Sequence, residues 1–489
     1  MWTTIDHNAR RVISVGTRQT RELVRALQQL ARAAGHERPL LVGIDQENGL
    51  VSAFSSPSAG TQFPGAMALA ATGSVDLTER VSAASASELQ MVSINWVYSP
   101  VADANTDSRN PVIGVRSFSD DPKKVAEFAS AAARGIVSAR VAPTAKHFPG
   151  HGDTHVDSHL TLPVIAKTKA QLVQEELVLF KALIDAGIPC VMTGHMALPL
   201  ITGDDTPCSL SKEITTALLR EEMGFGGVVV TDCLEMDAIA EPKQGGCGVE
   251  EGALRALKAG ADIAMICHTF EKQKGALERV YRALEQGEVQ LEALKESGVR
   301  IAAMKDTFTA GWDKEATYSD IHASHLELAR DAYSKSTTVV WNAGNTLPLK
   351  MLDKRLLLLT PAMESVNRAV DLGDSILKGP DGVVRNTAGP SYLALAKMFE
   401  GRVETTHIVY GEKDAVTTLD GVGAVVFVMR NADLWRWQLE YLEQLRPSVL
   451  LVLVSSCGPY DLADVRSEYE GWTAYSHSPA TAFPCIKSF

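Results

Sequence analysis

The stretch GVVVTD, Gly227 to Asp232, sets three consecutive valines before a threonine and closes on an aspartate. Its β-branched run, Val228–Thr231, is bounded by glycine, too brief for a typical buried helix, and reads as a strand buried on both faces, as in a parallel sheet. The design recurs on either side of it. Working outward, further strand candidates fall at Val12–Val15, Leu40–Ile44, Ile94–Tyr98, Val141–Ala145, Val191–Thr193 and Asp262–Ile266. The segments between them are amphipathic. A helix expected after Thr20, a candidate N-cap, sets Leu23, Leu27 and Leu30 on one face, and another sets Val125, Phe128, Ala132 and Ile136 on one face. Such alternation yields parallel strands joined by right-handed crossovers. Seven or eight units in about 300 residues suit a (β/α)8 barrel of the TIM type. An open doubly wound sheet is the rival, and periodicity does not separate the two.

From Leu291 to His325 the sequence turns helical and charged, with little strand character, and reads as a linker region. A second alternation follows at Thr338–Trp341, Leu356–Leu359, His407–Tyr410, Val425–Val428 and Val449–Val454. These runs are again apolar enough for burial on both faces, which predicts a smaller parallel α/β sandwich domain. The expected bounds are 1–310 for the barrel, 311–335 for the linker helix region and 336–489 for the second domain.

A chain of 489 residues exceeds the size of one ordinary core, and 45% apolar with 22% charged residues describes a globular protein able to fill two. Lys and Arg total 47 against 59 Asp and Glu, a net charge of −12 that repels nucleic-acid phosphates. The apolar runs are too short to span a bilayer, and the N-terminal MWTTIDHNARRV lacks the pattern of a secretory leader. Seven cysteines, at 190, 208, 233, 247, 267, 457 and 485, include no CxxC pair and fit reduced thiols. The cytosol is the expected compartment, with neither nucleic acid nor membrane as partner.

Barrel enzymes carry their chemistry at the C-terminal ends of the strands. LLVGID ends in Asp45, APTAKHF carries Lys146 and His147, and GVVVTD ends in Asp232. By position alone, Asp45 or Asp232 could equally cap the following helix. The segment KHFPGHGDTHVDSHLTLP, Lys146 to Pro163, gathers four histidines (147, 151, 155 and 159) with Asp153 and Asp157. That density of titratable groups on a Gly- and Pro-containing stretch suits a loop over an active site better than a merely solvated one. Its spacings match neither an HExxH helix nor a structural zinc pattern, so no metal is expected there. No phosphate-cradling glycine motif is present, and no cofactor is expected.

The run KHFPGHGDTHVDSHLTLP resembles the signature of glycoside hydrolase family 3 β-N-acetylglucosaminidases. IDQENG (Ile44–Gly49), INWVYSPVADAN (Ile94–Asn105), IGVRSFSDDP (Ile113–Pro122), VMTGHMALP (Val191–Pro199) and VVVTDCLEM (Val228–Met236) resemble further blocks of the family in the same order. The resemblance covers most of residues 11–310 and is sharpest at the Asp157-Ser-His159 tripeptide. It implies a (β/α)8 barrel and an exo-acting, retaining enzyme that removes terminal β-linked N-acetylglucosamine by double displacement. Asp232 would be the nucleophile, His159 the acid/base and Asp157 its orienting partner, with Asp45, Arg116, Lys146 and His147 holding the sugar. The partner is then a small carbohydrate. Weaker matches, TTVVWNAGNTLPL (Thr337–Leu349) and GPYDL (Gly458–Leu462), resemble the family's C-terminal sandwich.

Two departures stand out. Asn48, Leu50 and Ala53 occupy a region where the family carries a glycine and two arginines, so one sugar-facing cation is expected to be missing. The helix and strand with which family members begin are also absent ahead of Val12–Val15, which predicts a barrel short of its first strand and an incomplete N-terminus. A phosphorylase, in which phosphate replaces water in the second step, and a catalytically silent sugar-binding protein are the competing functions.

Overall fold

The apolar runs pair side by side in chain order. The computed structural model describes residues 3–4, 16–55, 59–158, 161–242, 245–311, 319–342, 347–349, 354–362, 390–445, 449–462 and 473–476. Its chain forms two compact units, Met1–Thr61 with Ser74–His325, and Gln62–Gly73 with Leu326–Phe489. In the first unit β1 (Thr3–Thr4) pairs with β2 (Val42–Ile44), a short antiparallel hairpin β3 (Gln46–Asn48) and β4 (Val51–Ser52) follows, and β5 (Trp96–Val97) pairs with β2. Then come β6 (Thr144–Phe148), β7 (Cys190–Thr193), β8 (Val228–Cys233) and β9 (Ile263–Met265), paired in that order. The pairings among β1, β2 and β5, and along β6 to β9, are parallel. Parallel bridges from Trp96 to Ala142 and from Val101 to Lys146 join β5 to the β6 segment.

This gives seven parallel strands in sequence order among the described residues. The expected run Val12–Val15 lies outside them, and the strand at the outer edge of β2 is Thr3–Thr4.

The sheet curls rather than lying open. Arg38, just before β2, donates to Asp306 at 2.7 Å, and Asp306 lies on the helix Leu291–Phe308 that follows β9. Five strand spacings of about 4.8 Å would hold β2 and β9 some 24 Å apart in a flat sheet. Met304 and Phe308 of that helix belong to the apolar cluster that also holds Leu41, Trp96, Met192, Val230 and Met265. A segment expected to begin the linker therefore contributes to the barrel core. Residues 312–318 are outside the described set, and Ser319–Ser336 is helical.

Of the two helix faces expected from periodicity, one forms. Val125, Phe128, Ala132 and Ile136 of the helix Pro122–Ser138 are all buried. The first helix, α1 (Gly16–Ala33), already includes the five residues from Gly16 to Thr20 that were expected to precede it, which puts Thr20 inside it with its hydroxyl on the Gly16 carbonyl rather than at the cap. Its buried positions are Thr20, Val24, Gln28 and Ala31, while Leu30 is 66% exposed. The reason is Gln28, whose amide donates to the Leu40 carbonyl at 3.0 Å and accepts from the Leu40 N–H at 2.7 Å. A buried strand end with unpaired backbone groups is costly, and the glutamine satisfies both. The helix is rotated toward the polar residue that performs this.

In the second unit, strands Thr338–Trp341, Arg355–Pro361, Thr405–Tyr410, Val422–Met429, Leu450–Ser455 and Thr473–Ser476 form one six-stranded sheet. Its pairings are parallel except at one edge, where Thr338–Trp341 runs antiparallel to Thr473–Ser476. Apolar clusters cover both faces, with Phe427, Leu453 and Leu442 in one and Leu358, Val426 and Tyr392 in the other.

Candidate active site

The C-terminal ends of β2, β6 and β8 carry the polar residues singled out in the sequence, and the curled sheet brings them together. Asp45 follows β2, and Lys146 and His147 lie within β6 where it meets the loop. Lys146 Nζ donates to Asp45 Oδ1 at 2.7 Å and lies 2.6 Å from Glu47 Oε1. Glu47 sits on the hairpin β3–β4 and is clamped in turn by Arg116, Nε to Oε2 at 2.8 Å and Nη2 to Oε1 at 2.7 Å.

Arg116, Glu47 and Lys146 form an ion cluster whose side chains are 6% exposed or less. Burial opposes charge in all three. The two cations outweigh it at Glu47 and hold its carboxyl below the ordinary range, while Glu47 and Asp45 hold Lys146 above its own. Arg116 also donates to the Val112 carbonyl at 3.0 Å and faces His147 Nε2 at 3.4 Å. Four of its five donors are thus used within the protein. Its part in the arrangement is to hold Glu47 and His147 in place.

His147 is poised by its partners. Nδ1 lies 2.7 Å from Asp103 Oδ2, and Asp103 also accepts from the backbone N–H of His147 and of His151. Burial, followed by the charge of Arg116, pushes His147 well below the usual imidazole value. The neutral ring then donates from Nδ1 to Asp103 and presents Nε2 to Arg116. The same Nε2 lies 4.0 Å from Asp232 Oδ2.

Asp232 ends β8 with its side chain partly open to solvent, 21% exposed, and Oδ1 accepts from the Cys233 N–H at 2.7 Å. Burial would raise its pKa, but His147, His195 and Lys146, helped by that N–H, outweigh the penalty and hold it below the ordinary carboxylate value. An ionised carboxylate at a strand end, partly open to solvent, is equipped for nucleophilic attack.

The 151–163 loop is anchored at its start. Gly152 packs so close to the Ala104 carbonyl that a Cβ would lie 1.5 Å from the oxygen, and His151 Nε2 is 3.1 Å from Ser158 Oγ. Lys167 reaches Asp153 at 3.1 Å, Glu175 at 2.9 Å and Glu176 at 2.9 Å. Asp157 is half-buried on this loop, and its carbonyl accepts from Thr161 N–H at 3.1 Å. His159 lies outside the described residues.

Glu47, Asp103 and His195 were not singled out in the sequence. His195 is buried two residues beyond β7, with Nδ1 2.8 Å from Ser209 Oγ and Nε2 donating to the Cys233 carbonyl at 3.0 Å. The strand-end rule applied to Val191–Thr193 reaches it; Asp103, several residues past its strand, gave no such signal. At the missing arginines, Asn48 turns inward in a left-handed conformation, φ 67°, and accepts from Ser85 Oγ at 2.9 Å.

Residues 9–304 match the glycosyl hydrolase family 3 N terminal domain, and the chain belongs to that family. Beta-hexosaminidase A from Pseudoalteromonas piscicida is 32% identical over 357 residues, which are 68% of this chain and 58% of that protein. A solved structure of a fungal multi-domain family 3 β-N-acetylglucosaminidase superposes with a TM-score of 0.85 at 35% identity, covering 94% of this chain and 52% of that one. A family 3 β-N-acetylglucosaminidase from Paenibacillus gives 0.81 at 31% identity, covering 96% and 87%. The chain thus spans little more than half the length of two of these three relatives. Their fold is the barrel followed by an α/β sandwich, and this chain has both. No described helix is long and apolar enough to cross a membrane.

Proposed function

We propose that the chain is an exo-acting, retaining β-N-acetylglucosaminidase that removes a terminal non-reducing N-acetylglucosamine by double displacement. The observation that carries the reading is Asp232: a carboxylate held ionised at a strand end, 4.0 Å from a neutral histidine and beside a buried cation cluster. The relatives, a β-hexosaminidase and two β-N-acetylglucosaminidases, suggest the sugar.

In this mechanism Asp232 attacks the anomeric carbon and forms a glycosyl-enzyme. His159, oriented by Asp157, protonates the leaving oxygen and afterwards takes a proton from water. A histidine suits both tasks because its ordinary pKa, about 6.5, lies near working pH. Asp45 and Lys146 hold the hydroxyls of the sugar, with Arg116 and His147 behind them. Catalysis belongs to residues 1–310, with 311–335 as linker and 336–489 as an accessory sandwich. The six described cysteines are free thiols, which fits a cytosolic protein.

The test is release of nitrophenol from the β-N-acetylglucosaminide and from the β-glucoside by the wild type, Asp232→Ala and His159→Ala. Preferential turnover of the acetamido substrate, lost in both variants, is the expected result. A folded wild type that releases nothing would sink the hydrolase reading.

A further inference from the structure

Next to the proposed nucleophile in the chain begins a group that its chemistry does not use. Cys233 follows Asp232 at the end of β8, and Cys267 and His268 follow β9 by two and three residues. The two strands are neighbours, with Cys233 in register with Met265. The sulfurs of Cys233 and Cys267 and a ring nitrogen of His268 all lie within 4.8 Å of one another. Cys233 is buried, and the other two are half-buried.

We propose that Cys233, Cys267 and His268 form a binding site for a thiophilic divalent cation of the zinc class, and that the ion, when bound, inhibits the neighbouring nucleophile. Two thiolates and an imidazole are a borderline-soft donor set: hard cations such as Mg²⁺ prefer oxygen, and an iron–sulfur cluster would need more thiolates. A tetrahedral ion at 2.0–2.3 Å from each ligand separates its donors by about 3.5–3.8 Å, so the three atoms need only draw together by about an ångström. The fourth place is left to water.

A zinc ligand must be a thiolate, so binding releases a proton from each of the two cysteines. Cys233 adjoins Asp232 at the end of β8, so an ion held by its sulfur stands close enough to that carboxylate for its charge to act on it. Its positive charge would bind Asp232 more tightly in the ground state than in attack, and a carboxylate so held is a weaker nucleophile. The group has no short-range spacing in the sequence because its ligands come from two strand ends, with 33 residues separating Cys233 and Cys267.

The experiment uses the full chain, stripped by a chelator in a thiol-free phosphine reductant and titrated with Co²⁺. The expected result is one equivalent bound with a thiolate-to-metal charge-transfer band and tetrahedral d–d bands, both abolished by one equivalent of Zn²⁺. Cys267→Ser should roughly halve the charge-transfer intensity and weaken binding by at least about 10-fold, and His268→Ala should weaken it while keeping the intensity. A Co²⁺ complex without the charge-transfer band, or a band unchanged in Cys267→Ser, overturns the site.

The inhibitory part rests on the proposed hydrolase activity and is read separately. Stoichiometric Zn²⁺ should suppress release of nitrophenol by the wild type and leave Cys267→Ser at its metal-free rate. Equal inhibition of both proteins overturns that part, whereas a chain with no activity but an intact Co²⁺ spectrum loses the hydrolase reading and keeps the metal site.

Discussion

The two units end their parallel strands in different ways, and a pair of aspartates shows the difference. Asp232, at the end of β8, is ringed by His147, His195 and Lys146, and its pKa is lowered. Asp461, six residues past the strand Leu450–Ser455 of the second sheet, is 1% exposed and meets the N–H of Ala432 at 2.6 Å and the hydroxyl of Ser455 at 2.7 Å. Burial wins there, with Asp433 adding to it, and the pKa is pushed up to about 7.

The hydrogen bonds agree with a neutral acid. Ser455 Oγ also contacts the Gly458 carbonyl, and one hydroxyl hydrogen serves one acceptor, so a protonated Asp461 that donates to Ser455 satisfies the whole chain. Asp461 ties a loop to a sheet. The two carboxylates differ in their surroundings: Asp232 is partly open to solvent with Lys146 and two histidines near it, whereas Asp461 is shut in with Asp433 beside it.

The largest expected effect sharpens that contrast. On the proposed mechanism Asp232→Ala should lower kcat on the order of 10⁴-fold or more while leaving the melting temperature near the wild type, because a nucleophile is needed for turnover and not for packing. A residual rate within about 10-fold of the wild type would remove Asp232 from the chemistry.

Next comes the cation cluster itself. Arg116→Met leaves Glu47 buried with Lys146 alone, and breaking such a pair costs about 3–5 kcal/mol in a denaturant titration. The double variant with Glu47→Gln should recover part of the loss. A single variant as stable as the wild type would mean that the cluster does not rest on Arg116.

In the second unit the comparable cost comes from apolar packing. Leu453→Ala, at a fully buried strand position, should cost roughly 2–5 kcal/mol. The pH profile of turnover should not move. A shifted profile would break the division of labour between the units.

The smallest effect depends on pH and has opposite signs at the two aspartates. A lowered pKa at Asp232 contributes stability above the unfolded value, about 3.9, that is lost as pH falls through the folded one. A raised pKa at Asp461 contributes stability below about 3.9 that is lost as pH rises through about 7. Asp461→Asn, which keeps an acceptor and a donor, should thus stabilise the chain by on the order of 1–3 kcal/mol at pH 8 and by little at pH 5. Equal effects at both pH values would show that Asp461 is ionised in the fold.

Much of the frame was legible because strands buried on both faces are written as continuous apolar runs. Val228–Cys233 and Cys190–Thr193 fall within two residues of their expected bounds. The first helix was misread because Gln28 is buried and Leu30 is not, an inversion that follows from the backbone of Leu40 and not from periodicity. Asp45, Lys146, His147 and Asp232 were found by the strand-end rule, and the structure brings them together. Glu47 was hidden inside a hairpin that no apolar run announces.

The sequence by itself determined the alternation of strand and helix, the two-part organisation and the polar residues at the strand ends, since these depend on neighbours in the chain. The tertiary structure decided that the sheet curls, as Met304 and Phe308 packed among the strands and an Arg38–Asp306 contact between residues 268 apart record. It also decided which charges meet, since Arg116 and Glu47 are 69 residues apart and Lys146 and Asp45 are 101 apart. A charge's state is set by what surrounds it in space, and the order of residues along the chain does not record that.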